Sequence, residues 1–126
     1  MSEQLTPEAR EKLENLQAFQ SKVQQVTVQK HHTEAQLAEN KSALSVLSKT
    51  EKDATLYRHV GNLMVETNQN SAEEDLQQRI EALEVRLQTL SKQSERIQKQ
   101  FETLQKEIQE ILSKKPFTES SKISST

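Results

Sequence analysis

The sequence contains no cysteine, no tryptophan, one glycine and two prolines among its 126 residues. Without cysteine, the chain has neither a disulfide framework nor a thiolate metal site. Glycine and proline mark most turns, so their scarcity predicts few secondary-structure elements, each of them long. Only 32% of the residues are hydrophobic and 3% are aromatic, whereas globular domains contain about 45–50% apolar residues. We therefore expect a narrow apolar seam and no buried, water-excluding active site.

A strong charge of one sign is also missing. The chain has 17 basic and 19 acidic residues, a formal net charge of −2, and neither sign forms a block. This balance argues against nucleic acid or an anionic membrane as the main ligand. No stretch approaches the roughly 20 apolar residues of a membrane span, and the N-terminal MSEQLTPEAR lacks the apolar core of a signal peptide. We expect a soluble protein of the cytoplasm.

A heptad pattern predicts a first helix over about residues 7–53. Thr6 is a suitable N-cap, and Pro7 fits the first helical position, where its missing N–H costs nothing. The apolar positions that step by three and four residues are Leu16, Phe19, Val23, Val26, Leu37, Leu44, Leu47 and Ala54. Polar residues occupy the same heptad positions at Lys30, Thr33, Asn40 and Glu51. The pattern is that of a coiled-coil seam with a polar middle.

A second, more regular heptad predicts a helix over about residues 72–114. Ser71 and Glu74 have the spacing of a capping box, and Pro116 should stop the helix. The seam positions follow without interruption at Leu76, Ile80, Leu83, Leu87, Leu90, Ser94, Ile97, Phe101, Leu104, Ile108 and Ile111. Two helices of similar length joined by a short segment predict an antiparallel coiled coil within a single domain, residues 1–115. Residues 116–126 are predicted to be a flexible tail.

The connecting segment, about residues 55–67, has the pattern of a β-hairpin. Gly61-Asn62 suits a tight turn with positive φ. The residues that we assign to assembly are Leu56, Tyr57, Val60, Gly61, Leu63, Met64 and Val65. A lone two-stranded hairpin is marginal in water, and its edges offer unpaired N–H and C=O groups. We therefore expect this hairpin to pair with the hairpins of other subunits.

Three segments taken in order carry a family resemblance: LQAFQSKVQQVTVQKHHTEAQLAENKSAL in the first helix, then LYRHVGNLMVE, then the long heptad helix. The hairpin from Tyr57 to Val65 is the best marker, because a glycine-containing hairpin between two helices of this length is specific. Over roughly residues 10–113 the chain resembles the β subunits of prefoldin, particularly the archaeal type. The fold that this implies is mainly α, a long antiparallel two-helix coiled coil with one hairpin, and the hairpins of several subunits form a β-barrel body.

The resemblance also implies a function and partners. Prefoldin is a hexamer of two α and four β subunits, and it acts as a chaperone that holds unfolded proteins without ATP. Clients bind at the distal coiled-coil tips and pass to a group II chaperonin. Neither nucleic acid nor a membrane is an expected partner. On this chain the tip residues would be Leu5, Leu13, Leu16, Phe19, Leu104, Ile108, Ile111, Leu112 and Phe117.

Other interpretations of these residues stay open. Most tip residues are also seam residues, so packing between helices and contact with clients are both possible for them. A structural coiled-coil adaptor that binds one folded partner is the alternative function, although an adaptor needs no strand pairing. We expect no enzyme, no cofactor and no metal, because no nucleophile–base set or phosphate loop is present. His31 and His32 are adjacent and so do not share a helix face, unlike metal ligands spaced i, i+4.

Overall fold

Two long helices flank one β-hairpin in this computed structural model, which describes the backbone of residues 6–125 and the side chains of residues 6–113. The elements in order are α1 (Pro7–Ser48), β1 (Leu56–Val60), β2 (Leu63–Thr67) and α2 (Gln69–Ser125). The two strands form an antiparallel sheet. The predicted class, mainly α with a single hairpin between two helices, is thus confirmed.

Helix α1 begins as the sequence predicts. The Ala9 N–H donates to the Thr6 hydroxyl oxygen at 3.0 Å, and the Arg10 N–H donates to the Thr6 carbonyl at 3.0 Å. Thr6 is therefore the N-cap, and Pro7 occupies the first helical position. One end of α1 is specified by residues next to it in the sequence.

The other end of α1 lies at Ser48, five residues before the predicted end at about 53. The Thr50 N–H donates to the Leu47 carbonyl at 3.1 Å, an i to i−3 bond that tightens the last turn. The side-chain amide of Gln69 then donates to the carbonyls of Leu47 at 3.0 Å and Thr50 at 3.3 Å. A residue of α2 thus helps to fix the end of α1. The sequence near Ser48 contains neither glycine nor proline, so no local residue signals this end.

Helix α2 begins at Gln69, three residues before the predicted start at about 72. Asn68 caps it, because its Oδ1 accepts from the Ser71 N–H at 2.9 Å and its carbonyl accepts from the Ala72 N–H at 2.9 Å. The predicted capping box from Ser71 to Glu74 is wrong, since Ser71 already lies inside the first turn. Asparagine and serine are nearly equal N-caps, so residue preference does not choose between two candidates three positions apart.

Helix α2 ends at Ser125, beyond the predicted stop at Pro116. Proline removes one N–H from the helical ladder, which weakens a helix but does not always end it. The expected mobility of residues 116–126 stays a prediction.

The chain divides into two compact units. The terminal unit consists of Met1–Thr27 with Lys92–Thr126, and the hairpin unit consists of Val28–Ser91. Among the side chains described, the terminal unit buries Ala9, Val26, Ile97, Leu104 and Ile108, and the hairpin unit buries Thr33, Leu37, Leu47 and Leu90.

Each unit contains a seam of the predicted period between a segment of α1 and a segment of α2. In the hairpin unit the two segments run antiparallel, because Lys41 pairs with Glu84 while the later residue Leu47 meets the earlier residue Gln69. Thr33, one of the polar heptad residues, is 1% exposed, and its hydroxyl donates to the Gln29 carbonyl at 2.9 Å. The polar position is therefore part of the seam, with its hydroxyl satisfied within α1.

Candidate functional site

The hairpin has a two-residue turn. Val60 pairs with Leu63 across the turn, so Gly61 and Asn62 are its central residues. Gly61 has φ of +60°, and no residue other than glycine has positive φ within the part of the chain that is described. Positive φ at the first central position alone is the signature of a type II′ turn, which matches the twist of the flanking strands. The single glycine of the sequence thus stands where the backbone requires it.

The strand register divides the hairpin side chains between two faces. Leu56, Arg58 and Val60 share a face with their partners Thr67, Val65 and Leu63, whereas Tyr57 and His59 share the other face with Glu66 and Met64. Apolar side chains lie on both faces and are largely exposed: Tyr57 58%, Val60 48%, Leu63 67%, Met64 60% and Val65 48%. Leu56, near the helices, is half-buried. The structure therefore brings the predicted assembly residues together on a small apolar sheet that the described part of the chain does not cover.

The same register shows which backbone groups are free for further pairing. Val60 and Leu63 flank a two-residue turn and so form a hydrogen-bonded pair, after which bonded and non-bonded pairs alternate. The N–H and C=O groups of non-bonded pairs point away from the partner strand. These groups belong to Tyr57 and His59 on β1 and to Met64 and Glu66 on β2, so each strand has a short open edge.

An ion pair holds the hairpin against α2. A guanidinium nitrogen of Arg58 lies 2.9 Å from a carboxylate oxygen of Asp75, whose side chain is 28% exposed. Together with the two hydrogen bonds of Gln69, this pair connects the hairpin and its base to the helices of the hairpin unit. Sequence reasoning missed all three residues, because their partners are 17 to 22 positions away in the chain.

The predicted client-binding residues lie along the seam of the terminal unit. Leu104 and Ile108 are buried at 8% and 6% exposure. Leu13, Leu16, Phe19 and Ile111 are half-buried, and Leu112, beside the seam, is 42% exposed. The Lys22 ammonium lies 5.3 Å from the ring centroid of Phe19. Leu5 and the side chain of Phe117 lie outside the described residues.

An ion pair crosses the terminal unit beside these residues. Lys12 Nζ donates to Glu107 Oε2 at 2.7 Å. This hydrogen bond raises the pKa of Lys12 above its ordinary 10.5, burial opposes the shift, and the negative charges of Glu107, Glu8 and Glu11 add to it. Sequence reasoning missed the pair, although opposite charges beside the seams of two facing helices are the signal that could have found it.

In the described region, no cluster of three or more histidine, cysteine or acidic residues is arranged to hold a metal ion. His31 Nδ1 lies 3.4 Å from a carboxylate oxygen of Glu34 on the same helix, and both side chains are exposed. No described part of either helix is long and apolar enough to cross a membrane.

Comparison with known proteins identifies the family. A family model described as "Prefoldin subunit" matches residues 10–115. The chain belongs to the prefoldin subunit family. It is 49% identical over 80 residues to prefoldin subunit beta of Halobacterium salinarum, an alignment that covers 64% of each chain. The chain thus spans slightly less than two thirds of the length of this curated relative.

Solved prefoldin structures have the same fold. The crystal structure of the prefoldin beta subunit from Thermococcus strain KS-1 matches with a TM-score of 0.77 and 34% identity, over 85% of this chain and 94% of that one. The prefoldin beta2 subunit from the same strain matches with a TM-score of 0.65 at 18% identity, which concerns the fold alone. A single hairpin between two long helices is therefore shared with prefoldin beta subunits.

Proposed function

We propose that the chain is a β-type subunit of a prefoldin-like chaperone that holds non-native proteins without ATP. In this proposal the hairpin assembles the subunit with a prefoldin α subunit and with other β subunits into an α2β4 hexamer. The ends of the helices in the terminal unit hold the client, which passes to a group II chaperonin in the cytoplasm. The observation that supports it best is the uncovered apolar hairpin between two long helices in a chain of the prefoldin subunit family.

The hairpin fits assembly by strand pairing. Five apolar side chains are about half or more exposed on ten strand residues, and both strand edges are open. Pairing with further hairpins would cover the apolar faces and satisfy the edge groups at once. A subunit that bound one folded partner through a helix face would not need this arrangement.

Proline at an edge position tests the pairing. His59→Pro removes an outward N–H and leaves the bonds between β1 and β2 in place, whereas His59→Ala removes the side chain and keeps the N–H. Mass measurement in solution, with a candidate α subunit present, should show a smaller assembly for His59→Pro and an unchanged one for His59→Ala. Circular dichroism should show equal helix content in both. An intact assembly with His59→Pro would count against pairing through β1.

Client capture is tested at Leu112, which among the described apolar side chains of the terminal unit is exposed and lies beside the seam. Exposure leaves Leu112 free for contact without loss of packing, so Leu112→Ser should weaken capture but not stability. Several helix ends acting together would make the loss larger than a single weak contact suggests. Val85, 63% exposed in the hairpin unit, provides the matched control Val85→Ser.

The assay is suppression of aggregation of an unrelated denatured protein on dilution, without ATP, by the assembled oligomer. We expect suppression by the wild type and by Val85→Ser, and weaker suppression by Leu112→Ser. Equal suppression of aggregation by all three proteins would show that Leu112 does not contribute to the client site. Absence of suppression by a correctly assembled wild-type oligomer would favour the adaptor, a structural coiled coil that binds a single folded partner.

A further inference from the structure

The proposed client site contains a conflict between burial and function. Leu104 and Ile108 are among the predicted client-binding residues, yet only 8% and 6% of their surfaces are exposed. A client cannot contact them while the terminal seam is closed. If they take part in capture, as the proposed function requires, the two helices must first separate at this point.

The contact that opposes separation lies directly beside these residues. Glu107 precedes Ile108 in α2 and follows Leu104 by three positions, so it lies on the adjoining helix surface. Its Oε2 accepts a hydrogen bond of 2.7 Å from Lys12 Nζ, contributed by α1.

We propose that the Lys12–Glu107 ion pair is a latch that keeps the terminal seam closed and limits the access of clients to Leu104 and Ile108. The inference rests on the proposed function. It adds a regulated step: capture by the buried part of the seam requires the pair to break, whereas contact with the exposed Leu112 does not. The client site therefore has an always open part and a latched part.

The electrostatics of the latch indicate what would open it. Glu107, Glu8 and Glu11 all favour the charged form of Lys12, so the ammonium stays protonated at neutral pH and ordinary pH changes do not break the pair. The side chains of Lys12 and Glu107 are 26% and 45% exposed, within reach of dissolved ions, and salt weakens such a pair. The latch is therefore sensitive to salt and insensitive to pH near 7.

The two partners are not equivalent. Glu107, Glu8 and Glu11 all act on Lys12, so removing its charge leaves three carboxylates around one position without that cation, and repulsion is added to the loss of attraction. Removing the charge of Glu107 leaves Lys12 with Glu8 and Glu11 as neighbours of opposite charge. Lys12→Gln should consequently open the seam further than Glu107→Gln.

The chain offers a matched control. Lys41 and Glu84 also form an ion pair between α1 and α2, but in the hairpin unit and at 3.9 Å. Lys41→Gln removes the same charge from the same helix and leaves the terminal seam untouched. The double reversal Lys12→Glu with Glu107→Lys restores an ion pair with its polarity exchanged.

The experiment measures aggregation suppression by the assembled oligomer together with hydrogen exchange of the amides at 104–112. Lys12→Gln should speed exchange there and lower the oligomer concentration needed for half-suppression by roughly two- to fivefold, the range expected for one exposed ion pair. Glu107→Gln should have a smaller effect, Lys41→Gln none, and the double reversal should return both values toward wild type. Unchanged exchange and capture for Lys12→Gln, with an active wild type, would overturn the latch and leave the proposed function standing.

A cross-link provides the opposite perturbation, because the chain has no cysteine. Lys12→Cys with Glu107→Cys, bridged by a short bis-maleimide, fixes the seam shut at the position of the latch. Bridged protein should capture less than the same variant with singly blocked thiols. Equal capture by the two would show that seam opening is not needed and would overturn the inference. Failure of every form to capture, the wild type included, would instead overturn the proposed function and the latch with it.

Discussion

The cap of α2 gives a sharp test, because the sequence and the structure point to different residues. The sequence favours Ser71, whereas in the structure Asn68 Oδ1 accepts from the Ser71 N–H at 2.9 Å. Replacing Asn68 by alanine leaves this N–H without its acceptor at the start of the helix. Loss of an N-cap costs about 1 kcal/mol, within a range of roughly 0.5–2 kcal/mol.

Ser71→Ala is the control three residues later. Ser71 is exposed in the first turn of α2, and no described side-chain hydrogen bond within the chain involves its hydroxyl. Alanine has the higher helix propensity, so this substitution should leave the free energy of unfolding unchanged or raise it by a few tenths of a kcal/mol. The pair of variants thus separates the two candidate caps without touching the seam.

Urea unfolding followed by circular dichroism is the assay, with all variants at one protein concentration because the proposed assembly would contribute to stability. With a denaturant slope of about 1–3 kcal/mol/M, a loss of about 1 kcal/mol lowers the midpoint by roughly 0.3–1 M. Asn68→Ala should show that shift and Ser71→Ala should not. A shift for Ser71→Ala with none for Asn68→Ala would refute the assignment of the cap and restore the capping box.

Further expectations concern single side chains and use the same unfolding measurement. Gln69→Leu should cost about 1 kcal/mol, because the Thr50 carbonyl loses the amide that donates to it and the Leu47 carbonyl keeps only the Thr50 N–H; no loss would mean that water replaces the amide. Gly61→Ala should cost about 1–2 kcal/mol through its positive φ alone, since a Cβ there meets nothing within 4 Å, and an equally stable variant would contradict the type II′ turn. Thr33→Val should be neutral or stabilising by up to about 1 kcal/mol, because the hydroxyl bonds only to its own helix, and a clear loss would contradict this. The pKa of Lys12 is raised in the folded chain, so its pairing with Glu107 stabilises fully below the ordinary 10.5 and is lost as pH rises through the higher folded value. The difference in urea midpoint between wild type and Lys12→Gln should therefore shrink above the pH at which Lys12 loses its proton in the folded chain. A difference independent of pH would disprove the linkage.

The periodic features of this chain could be predicted from the sequence because each depends on residues close together. Seam positions follow from the heptad, the α1 cap from Thr6 and Pro7, and the turn from the single glycine. The helix end at Ser48, which differs from the prediction, depends on residues that are far apart in the sequence. Helix α1 ends where Gln69, some twenty residues later, satisfies its last carbonyls, and a local pattern does not contain that information.

The terminal seam shows a deeper reason why interaction sites are harder to predict than helices. A seam position and a client contact call for the same kind of side chain, so residue type does not distinguish Leu104 from Leu112. Burial distinguishes them, because Leu104 is 8% exposed and Leu112 is 42% exposed. The site therefore depends on what controls the exposure of its apolar residues as well as on which residues are apolar. One exposed ion pair contributes up to about 1 kcal/mol, less than the burial of Leu104 or Ile108, but enough to change the population of an open seam by up to roughly fivefold. We therefore expect function in such chains to depend on the charged pairs that border the seam as much as on the seam itself.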